Sequence, residues 1–221
     1  MKEIKIFNNI SGGELNTIYQ KIRLQIIKLS SRETLFEEND VLDSFFFVYF
    51  GNLQSGHFSS NGKYEINNIF SEKDFIALDI VNTFTRKAPF TVSAIKECKL
   101  LKIPREIFTS DAIEKITRDI ITENMLNILA DISIKRDYYT WILHEKNTNT
   151  KIYMYLNLMM EINDSSVFDI DIPRLEMAQF LGMNRTVLSN RLSEMQKKGI
   201  IKFNRSHFEI LDTAEMSKHK F

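Results

Sequence analysis

Residues 174–201 constrain the fold most, because their apolar side chains follow a helical period that is interrupted only once. The interruption is Gly182-Met183-Asn184, where glycine can adopt the positive φ of a tight turn and asparagine is a favoured N-cap. This pattern predicts two short helices packed across a tight turn. The apolar residues on the period are Met177, Phe180, Leu181, Val187, Leu188, Leu192 and Met195.

Two short apolar runs separated by a polar break follow the second helix. Gly199 is predicted to end that helix, and residues 200–203 and 208–210 are predicted to form two strands joined by the polar residues 204–207. Two helices and a hairpin in this order are typical of a winged helix-turn-helix, whose second helix enters the major groove of DNA. The segment is therefore predicted to bind double-stranded DNA.

Basic side chains are concentrated in this segment, although the whole chain has 29 basic and 29 acidic residues. Between positions 174 and 205 the acidic residues are only Glu176 and Glu194. A local basic excess is what binding to a phosphate backbone requires. The alternative is an ordinary helical hairpin with a capping glycine, and the charge distribution argues against it. The basic residues are Arg174, Arg185, Arg191, Lys197, Lys198, Lys202 and Arg205.

The second helix is expected to present one exposed face, because side chains three and four residues apart lie together. The predicted base-contacting residues on that face are Arg185, Thr186, Ser189 and Asn190. Arginine suits the guanine edge and asparagine the adenine edge, so Arg185 and Asn190 are the expected base readers. The residues expected to turn inward are Val187, Leu188 and Leu192. The predicted phosphate contacts at the helix ends and the wing are Arg174, Lys197, Lys198, Lys202 and Arg205.

Residues 184–192 and 194–201 resemble the recognition helix and its exit in the Crp/Fnr family of bacterial transcription regulators. A common form in that family reads Arg, two variable residues, Leu, Ser, Arg, Glu and Leu. Asn190 and Arg191 stand where the family has Arg and Glu, whereas the matching residues are Arg185, Leu188, Ser189 and Leu192. The resemblance implies an α+β fold with an N-terminal antiparallel β-roll like a cyclic-nucleotide-binding domain, a long dimerisation helix and a C-terminal winged helix-turn-helix.

Short strands are predicted in the first half of the chain. The strand-like runs are residues 24–29, 45–50, 53–59, 64–70, 90–95 and 99–103. Asn61-Gly62 is a strong signal for a two-residue hairpin turn, since both central positions of that turn need positive φ. Short strands at regular spacing predict an antiparallel barrel or roll. An entry helix is expected before them, with Ser11 or a glycine as its start signal.

Residues 109–135 have a helical period and contain no proline or glycine, which predicts one long helix. Its apolar residues lie on more than one face, and a single flanking sheet cannot cover them all. The second covering surface is most simply the same helix of another subunit. A central helix buried within one subunit is the alternative. The predicted dimerisation residues are Ile113, Ile116, Ile120, Ile121, Met125, Ile128 and Ile132.

The predicted regions of the chain are a β-roll sensor domain at residues 1–108, a dimerisation helix and hinge at 109–146, and a winged helix-turn-helix domain at 147–221. Residues 138–144 are expected to extend the long helix or to form a second one. The polar run 147–150 is the predicted linker, followed by a helix over 152–162 and a strand over 167–172. Residues 217–221 lack periodicity and are predicted to form a loose tail.

The sensor domain lacks the groups with which cyclic-nucleotide-binding members of the Crp/Fnr family hold their ligand. Those members carry a Gly-Glu pair for the ribose and an Arg-Ser pair for the phosphate. By the resemblance, the corresponding positions here are Ala77-Leu78 and Ala88-Pro89. An apolar Leu78 would leave ribose polar atoms without partners, so we expect the domain to sense another small molecule, or none.

The cysteine and histidine content excludes several other functions. Cys98 is the sole cysteine, so no internal disulfide, iron–sulfur cluster or Cys-rich zinc site is possible. Four dispersed histidines show no ligand spacing, and we expect no metal, no cofactor and no enzymatic activity. Without a signal peptide or a membrane-spanning run, the protein is expected to be cytoplasmic.

The leading hypothesis is a homodimeric, sequence-specific transcription regulator that binds a palindromic operator. Its expected partners are double-stranded DNA, a second copy of the chain and an unidentified small-molecule effector, with RNA polymerase as a further candidate and no membrane contact. The alternative is a ligand-binding adaptor whose winged helix contacts protein rather than DNA. The basic face around Arg185 and Lys197 favours DNA, because the core of a protein interface is normally depleted in charge.

Overall fold

The computed structural model describes residues 4–59, 62 and 64–219. The chain divides into two compact units, Met1–Ser133 and Ile134–Phe221. The boundary between the units falls inside the long helix α2 (Lys115–His144).

The first unit opens with a 3-10 turn (Lys5–Phe7) and helix α1 (Gly12–Lys21). Ser11 caps α1 through a capping box, because its hydroxyl accepts from the Glu14 amide at 3.3 Å and the Glu14 carboxylate accepts from the Ser11 amide at 2.9 Å. The predicted start signal at Ser11 is confirmed. Asn124 of α2 also binds this entry segment, since its side-chain amide donates to the carbonyls of Ile6 at 3.1 Å and Asn8 at 2.8 Å.

The described strands of the first unit form two antiparallel sheets of four strands each, in the orders β1-β8-β3-β6 and β2-β7-β4-β5. Six of these strands lie within a residue or two of the predicted runs, whereas β2 and β6 were not predicted. These two strands are only three and two residues long, too short for a periodic signal. The strands are β1 (Gln25–Leu29), β2 (Thr34–Phe36), β3 (Ser44–Phe50), β4 (Leu53–Phe58), β5 (Tyr64–Phe70), β6 (Phe75–Ile76), β7 (Thr91–Ala94) and β8 (Cys98–Pro104).

Aromatic packing in the core of the roll explains how a strand as short as β6 is held. Phe75 of β6 packs against Phe45 and Phe47 of β3, with ring centroids 6.3 and 5.2 Å apart. The Phe45 ring also stacks on Phe108 at 5.7 Å, in the 3-10 turn that precedes α2. The core therefore connects β6 to the sheet and to the chain that enters α2.

Strands β4 and β5 form the predicted hairpin, with Phe58 opposite Tyr64. Gly62 has the predicted positive φ, at +77°, but its amide donates to the Ser59 carbonyl at 2.8 Å, so the predicted two-residue turn with Asn61-Gly62 at its centre is wrong. Asn61 lies outside the described residues. A β-bulge between Ser55 and Gly56 shifts the register of the pair.

Helix α2 (Lys115–His144) begins and ends later than the predicted span 109–135. It begins later because a 3-10 turn (Arg105–Phe108) and a turn closed by the Ile113 amide on the Ser110 carbonyl precede it. Residues 138–144 continue α2 and do not form a separate helix, which was the other predicted alternative.

The second unit contains a three-stranded antiparallel sheet in the order β10-β11-β9 and the helices around it. The polar run 147–150, predicted to be a linker, instead begins a helix, since the Asn147 side chain accepts from the amides of Asn149 and Thr150 at 2.9 and 3.2 Å. The predicted strand over 167–172 is shorter than expected. The elements are α3 (Thr148–Asn163), β9 (Val167–Asp169), α4 (Arg174–Phe180), α5 (Arg185–Lys197), β10 (Ile201–Asn204), β11 (His207–Ile210) and α6 (Thr213–Ser217).

The chain after β11 is ordered against α3, which corrects the prediction of a loose tail over its described part. The buried Asn157 side chain donates to the carbonyls of Met216 at 2.9 Å and His219 at 3.3 Å. The His219 ring stacks on Tyr153 with centroids 4.3 Å apart. Lys220 and Phe221, also part of that prediction, lie outside the described residues.

Candidate nucleic-acid interface

The turn between α4 and α5 has the predicted geometry. Gly182 adopts φ +65°, and the amides of Gly182 and Met183 donate to the carbonyls of Gln179 and Ala178 at 3.0 and 2.9 Å. Asn184 then caps α5, because its side-chain oxygen accepts from the Thr186 amide at 2.8 Å. The turn fixes the direction in which α5 leaves α4.

One face of α5 is buried against α4 and β10. Leu188, Leu192 and Met195 carry this contact and are at most 5% exposed. Their spacing of four and three residues places them on one side of the helix, which leaves the opposite side to solvent. The helix is therefore held rigidly by its apolar side while its polar side is presented outward.

The exposed face of α5 holds three of the four predicted base-contacting residues. Arg185, Thr186 and Asn190 are exposed, whereas Ser189 is half-buried at the edge of this face. Val187 was expected to turn inward, but its side chain is 39% exposed. The reason is its position one residue before Leu188, since each residue turns the helix by about 100° and only Leu188 points into the core.

Basic side chains surround this face at the end of α5 and on the wing. Lys197, Lys198 and Arg205 are exposed, and Arg205 occupies the turn between β10 and β11 with φ +53°. Lys202 on β10 is also exposed, but its ammonium lies 3.7 Å from the Glu209 carboxylate across the hairpin. Arg191 forms an ion pair with Glu194 at 2.8 Å on the flank of α5.

Arg174 occupies a different environment from the other predicted phosphate contacts. Its guanidinium lies over the rings of Phe203 and Phe208, 5.5 and 5.2 Å from their centroids, and donates to the Arg205 carbonyl at 2.9 Å. Burial lowers its pKa, although an arginine stays charged at neutral pH. Arg174 therefore joins the start of α4 to the wing turn, and its contact with a phosphate stays a prediction.

The predicted dimerisation residues on and before α2 fall into three groups by exposure. Ile113, Ile121 and Ile128 are buried in the core of their own unit, so these three side chains cannot also form a surface for a second subunit. Ile120, Met125 and Ile132 are half-buried against the same core. Ile116 is exposed, as are Leu126 and Ile134, which the sequence analysis did not select.

The two residue pairs that the resemblance places at a nucleotide site, Ala77-Leu78 and Ala88-Pro89, are mostly buried. Ala77, Leu78 and Ala88 are buried in the core of the roll, whereas Pro89 is exposed. Ala77 has φ +64°, a conformation that favours glycine. The Asn82 side chain donates to the Leu78 carbonyl at 2.8 Å and lies 3.2 Å from Sδ of Met125, which ties this segment to α2.

In residues 4–59, 62 and 64–219 there is no group of three or more His, Cys, Asp or Glu side chains arranged to hold a metal ion. Within the same ranges, no helix has both the length and the apolar character needed to cross a bilayer.

Comparisons with known proteins match both halves of the chain. A family model described as "Cyclic nucleotide-binding domain" matches residues 26–110, and one described as "Crp-like helix-turn-helix domain" matches residues 150–218. The nitrogen fixation regulation protein FixK of Bradyrhizobium diazoefficiens is 22% identical over 197 residues, which cover 86% of this chain and 79% of that protein.

Two solved structures share the fold over most of the chain. FixK2 from Bradyrhizobium japonicum has a TM-score of 0.74 at 14% identity and covers 90% of this chain and 98% of its own. A mutant of CooA from Carboxydothermus hydrogenoformans has a TM-score of 0.71 at 17% identity, with 96% of this chain and 92% of its own covered.

Proposed function

Because this chain belongs to the Crp/Fnr family of transcription regulators, we propose that it acts as a homodimer that places two α5 helices in successive major grooves of a palindromic DNA site. It is a DNA-binding regulator and not an enzyme. The observation that carries the proposal is the exposed polar face of α5, with Arg185, Thr186 and Asn190 beside the cations Lys197 and Arg205. Selection of bound fragments from random DNA tests it, and recovery of no preferred sequence would contradict it.

The proposed DNA contact of each residue follows from the position and exposure of its side chain. Arg185, Thr186, Asn190 and, at the edge, Ser189 are proposed to read bases, because they lie in the N-terminal half of α5 and outside its buried face. Lys197, Lys198, Lys202 and Arg205 contact phosphates from the end of the helix and from the wing. Arg174 contributes indirectly, by fixing the backbone of the wing turn through Arg205.

The dimer is proposed to form along α2. The residues at alternating spacings of four and three are Ile116, Ile120, Glu123, Asn127, Ala130 and Ile134. This is the a/d spacing of a coiled coil, and a polar asparagine at such a position specifies a two-stranded register. All of them except Ile120 are exposed on the isolated subunit, which leaves Ile116, Ala130 and Ile134, with the polar Glu123 and Asn127 between them, available to a second copy. The three regions at 1–108, 109–146 and 147–221 are accordingly proposed as sensor, dimer helix with hinge, and DNA-binding domain.

The proposed sensor does not respond to a cyclic nucleotide. Leu78 and Ala88 are buried where related proteins place their ribose and phosphate partners. Cyclic AMP and cyclic GMP are therefore expected to show no binding at concentrations up to about millimolar, a free energy near −4 kcal/mol. Isothermal titration calorimetry checks this, with a nucleotide-binding member of the family as the positive control. A micromolar dissociation constant for either nucleotide would contradict the argument.

Removal of one phosphate contact should weaken binding to every DNA sequence alike. Lys197→Ala is expected to lower the slope of log K against log salt by about one contact, because one fewer counterion is released. Lys197 is preferable to Lys202, whose charge is partly matched by Glu209. Titrations of fluorescent DNA at several salt concentrations measure the slope.

Lys21→Ala is the control for that measurement, since Lys21 is an exposed lysine at the end of α1 in the other unit. It should leave both the affinity and the slope unchanged. If Lys197→Ala kept the wild-type slope, Lys197 would face solvent in the complex.

A further inference from the structure

Val187 is an apolar side chain on the otherwise polar face of α5. It is 39% exposed, whereas Leu188, Leu192 and Met195 on the same helix are at most 5% exposed. Its helix phase explains why it is exposed, but a β-branched apolar residue gives a helix surface no advantage by propensity, so helix stability does not explain why a valine stands here.

The position of Val187 on the helix places it beside the proposed base readers. It follows Thr186 directly and precedes Asn190 by three residues. At about 100° per residue, Val187 and Asn190 are about 60° apart around the helix axis. A helix that brings Asn190 to a base edge therefore brings the methyl groups of Val187 to the same or the adjoining base pair.

We propose that Val187 contacts the C5-methyl group of a thymine in each half-site, an inference that rests on the DNA-binding function proposed above. On the major-groove edges of the base pairs, the thymine methyl is the apolar group, and apolar side chains read it by excluding water from it. Val187 thus adds a specificity for thymine to the hydrogen bonds offered by Arg185 and Asn190.

The test replaces thymines of the selected site by deoxyuridine, one symmetric pair at a time, since uracil differs from thymine only by the missing methyl. At one such pair, wild-type protein should bind the uracil site about fourfold more weakly per half-site than the thymine site. This is the effect of one methyl-sized apolar contact. Val187→Ser should bind the thymine and uracil sites equally at that pair, and Val187→Thr, which keeps one methyl, should retain part of the difference.

Ser193→Ala is the matched control, because Ser193 is exposed on the same helix and its hydroxyl donates to the Ser189 carbonyl at 2.9 Å. It should keep the full wild-type response to uracil. The inference fails if wild-type protein is insensitive to uracil at every pair, or if Val187→Ser keeps the wild-type penalty. A protein that selects no DNA sequence at all would overturn the proposed function itself, and the thymine contact with it.

Discussion

Ile134→Glu should yield a protein that is mainly monomeric and binds its DNA site weakly. Ile134 is 55% exposed on α2 and lies on the coiled-coil spacing, so in the proposed dimer its side chain meets the partner helix. A buried charge without a partner costs about 3–5 kcal/mol, which raises the dimer dissociation constant more than about 100-fold. Analytical ultracentrifugation measures the assembly, and fluorescence anisotropy with the selected DNA measures the binding.

The loss of affinity should follow from the loss of the second half-site rather than from misfolding. Ile134 is exposed in the subunit, so the substitution leaves the core of the unit intact. Tyr19→Glu is the matched control, because Tyr19 is 64% exposed and lies on α1, outside the proposed coiled-coil spacing of α2. It should remain dimeric and bind normally. A wild-type protein that is monomeric while bound to DNA would refute the dimer.

For helix α2, the sequence pattern predicts the apolar residues but not which of them are buried within their own subunit. The sequence correctly predicts a long helix with two apolar faces, but it does not say which face meets the roll. Ile128 belongs to the core of its own unit, and Met125 lies near Asn82 of the sensor segment. Substituting glutamate for Ile128 or for Met125 would therefore disturb the subunit as well as a dimer. Which face packs inward depends on the three-dimensional position of the roll.

Features set by local backbone chemistry could be predicted from the sequence. The turn at Gly182, the cap at Asn184 and the capping box at Ser11 each depend on residues within a few positions. The pairing of β4 with β5 is also of this kind, although its predicted two-residue turn is wrong. Strand β6 is different, because Phe75 packs against Phe45 and Phe47 of β3, which is distant in sequence. No local sequence pattern predicts this strand.

Two residues of the candidate site had roles that the sequence analysis missed. Arg174 was counted with the basic residues, yet its guanidinium is held by Phe203 and Phe208, which are adjacent only in the folded hairpin. No local sequence signal marks this contact, because Arg174 lies 29 residues before Phe203. Val187 was assigned inward on its apolar character alone, and counting helix phase from Leu188 and Leu192 would have corrected it.

The exposed face of α5 also distinguishes DNA from protein as the binding partner. Arg185, Lys197 and Lys198 are exposed around a polar surface, whereas a protein-binding helix normally offers an apolar core with a polar rim. The exposed apolar side chain on this face is Val187, and one valine is too small to form the apolar core of a protein interface. The charges instead match the phosphates that flank a major groove.

Arg185→Ala should relax the DNA sequence preference at one base-pair position in each half-site. Arg185 is exposed at the first position of α5, and the N-terminal part of a recognition helix is the part that contacts base edges. A bidentate contact from arginine to O6 and N7 of guanine is worth about 1–3 kcal/mol of discrimination, or a factor of about 5 to 150. Binding-site selection with the variant should therefore return the wild-type consensus with one guanine pair degenerate.

Arg191→Ala separates base reading from the general effect of removing a positive charge from α5. Arg191 is an arginine on the same helix, but it is half-buried and paired with Glu194 at 2.8 Å on the flank of α5. Its removal should change affinity slightly and leave the consensus intact. Recovery of the unchanged consensus with Arg185→Ala would mean that Arg185 contacts a phosphate. Base recognition would then rest on Thr186 and Asn190, the other fully exposed residues predicted to read bases.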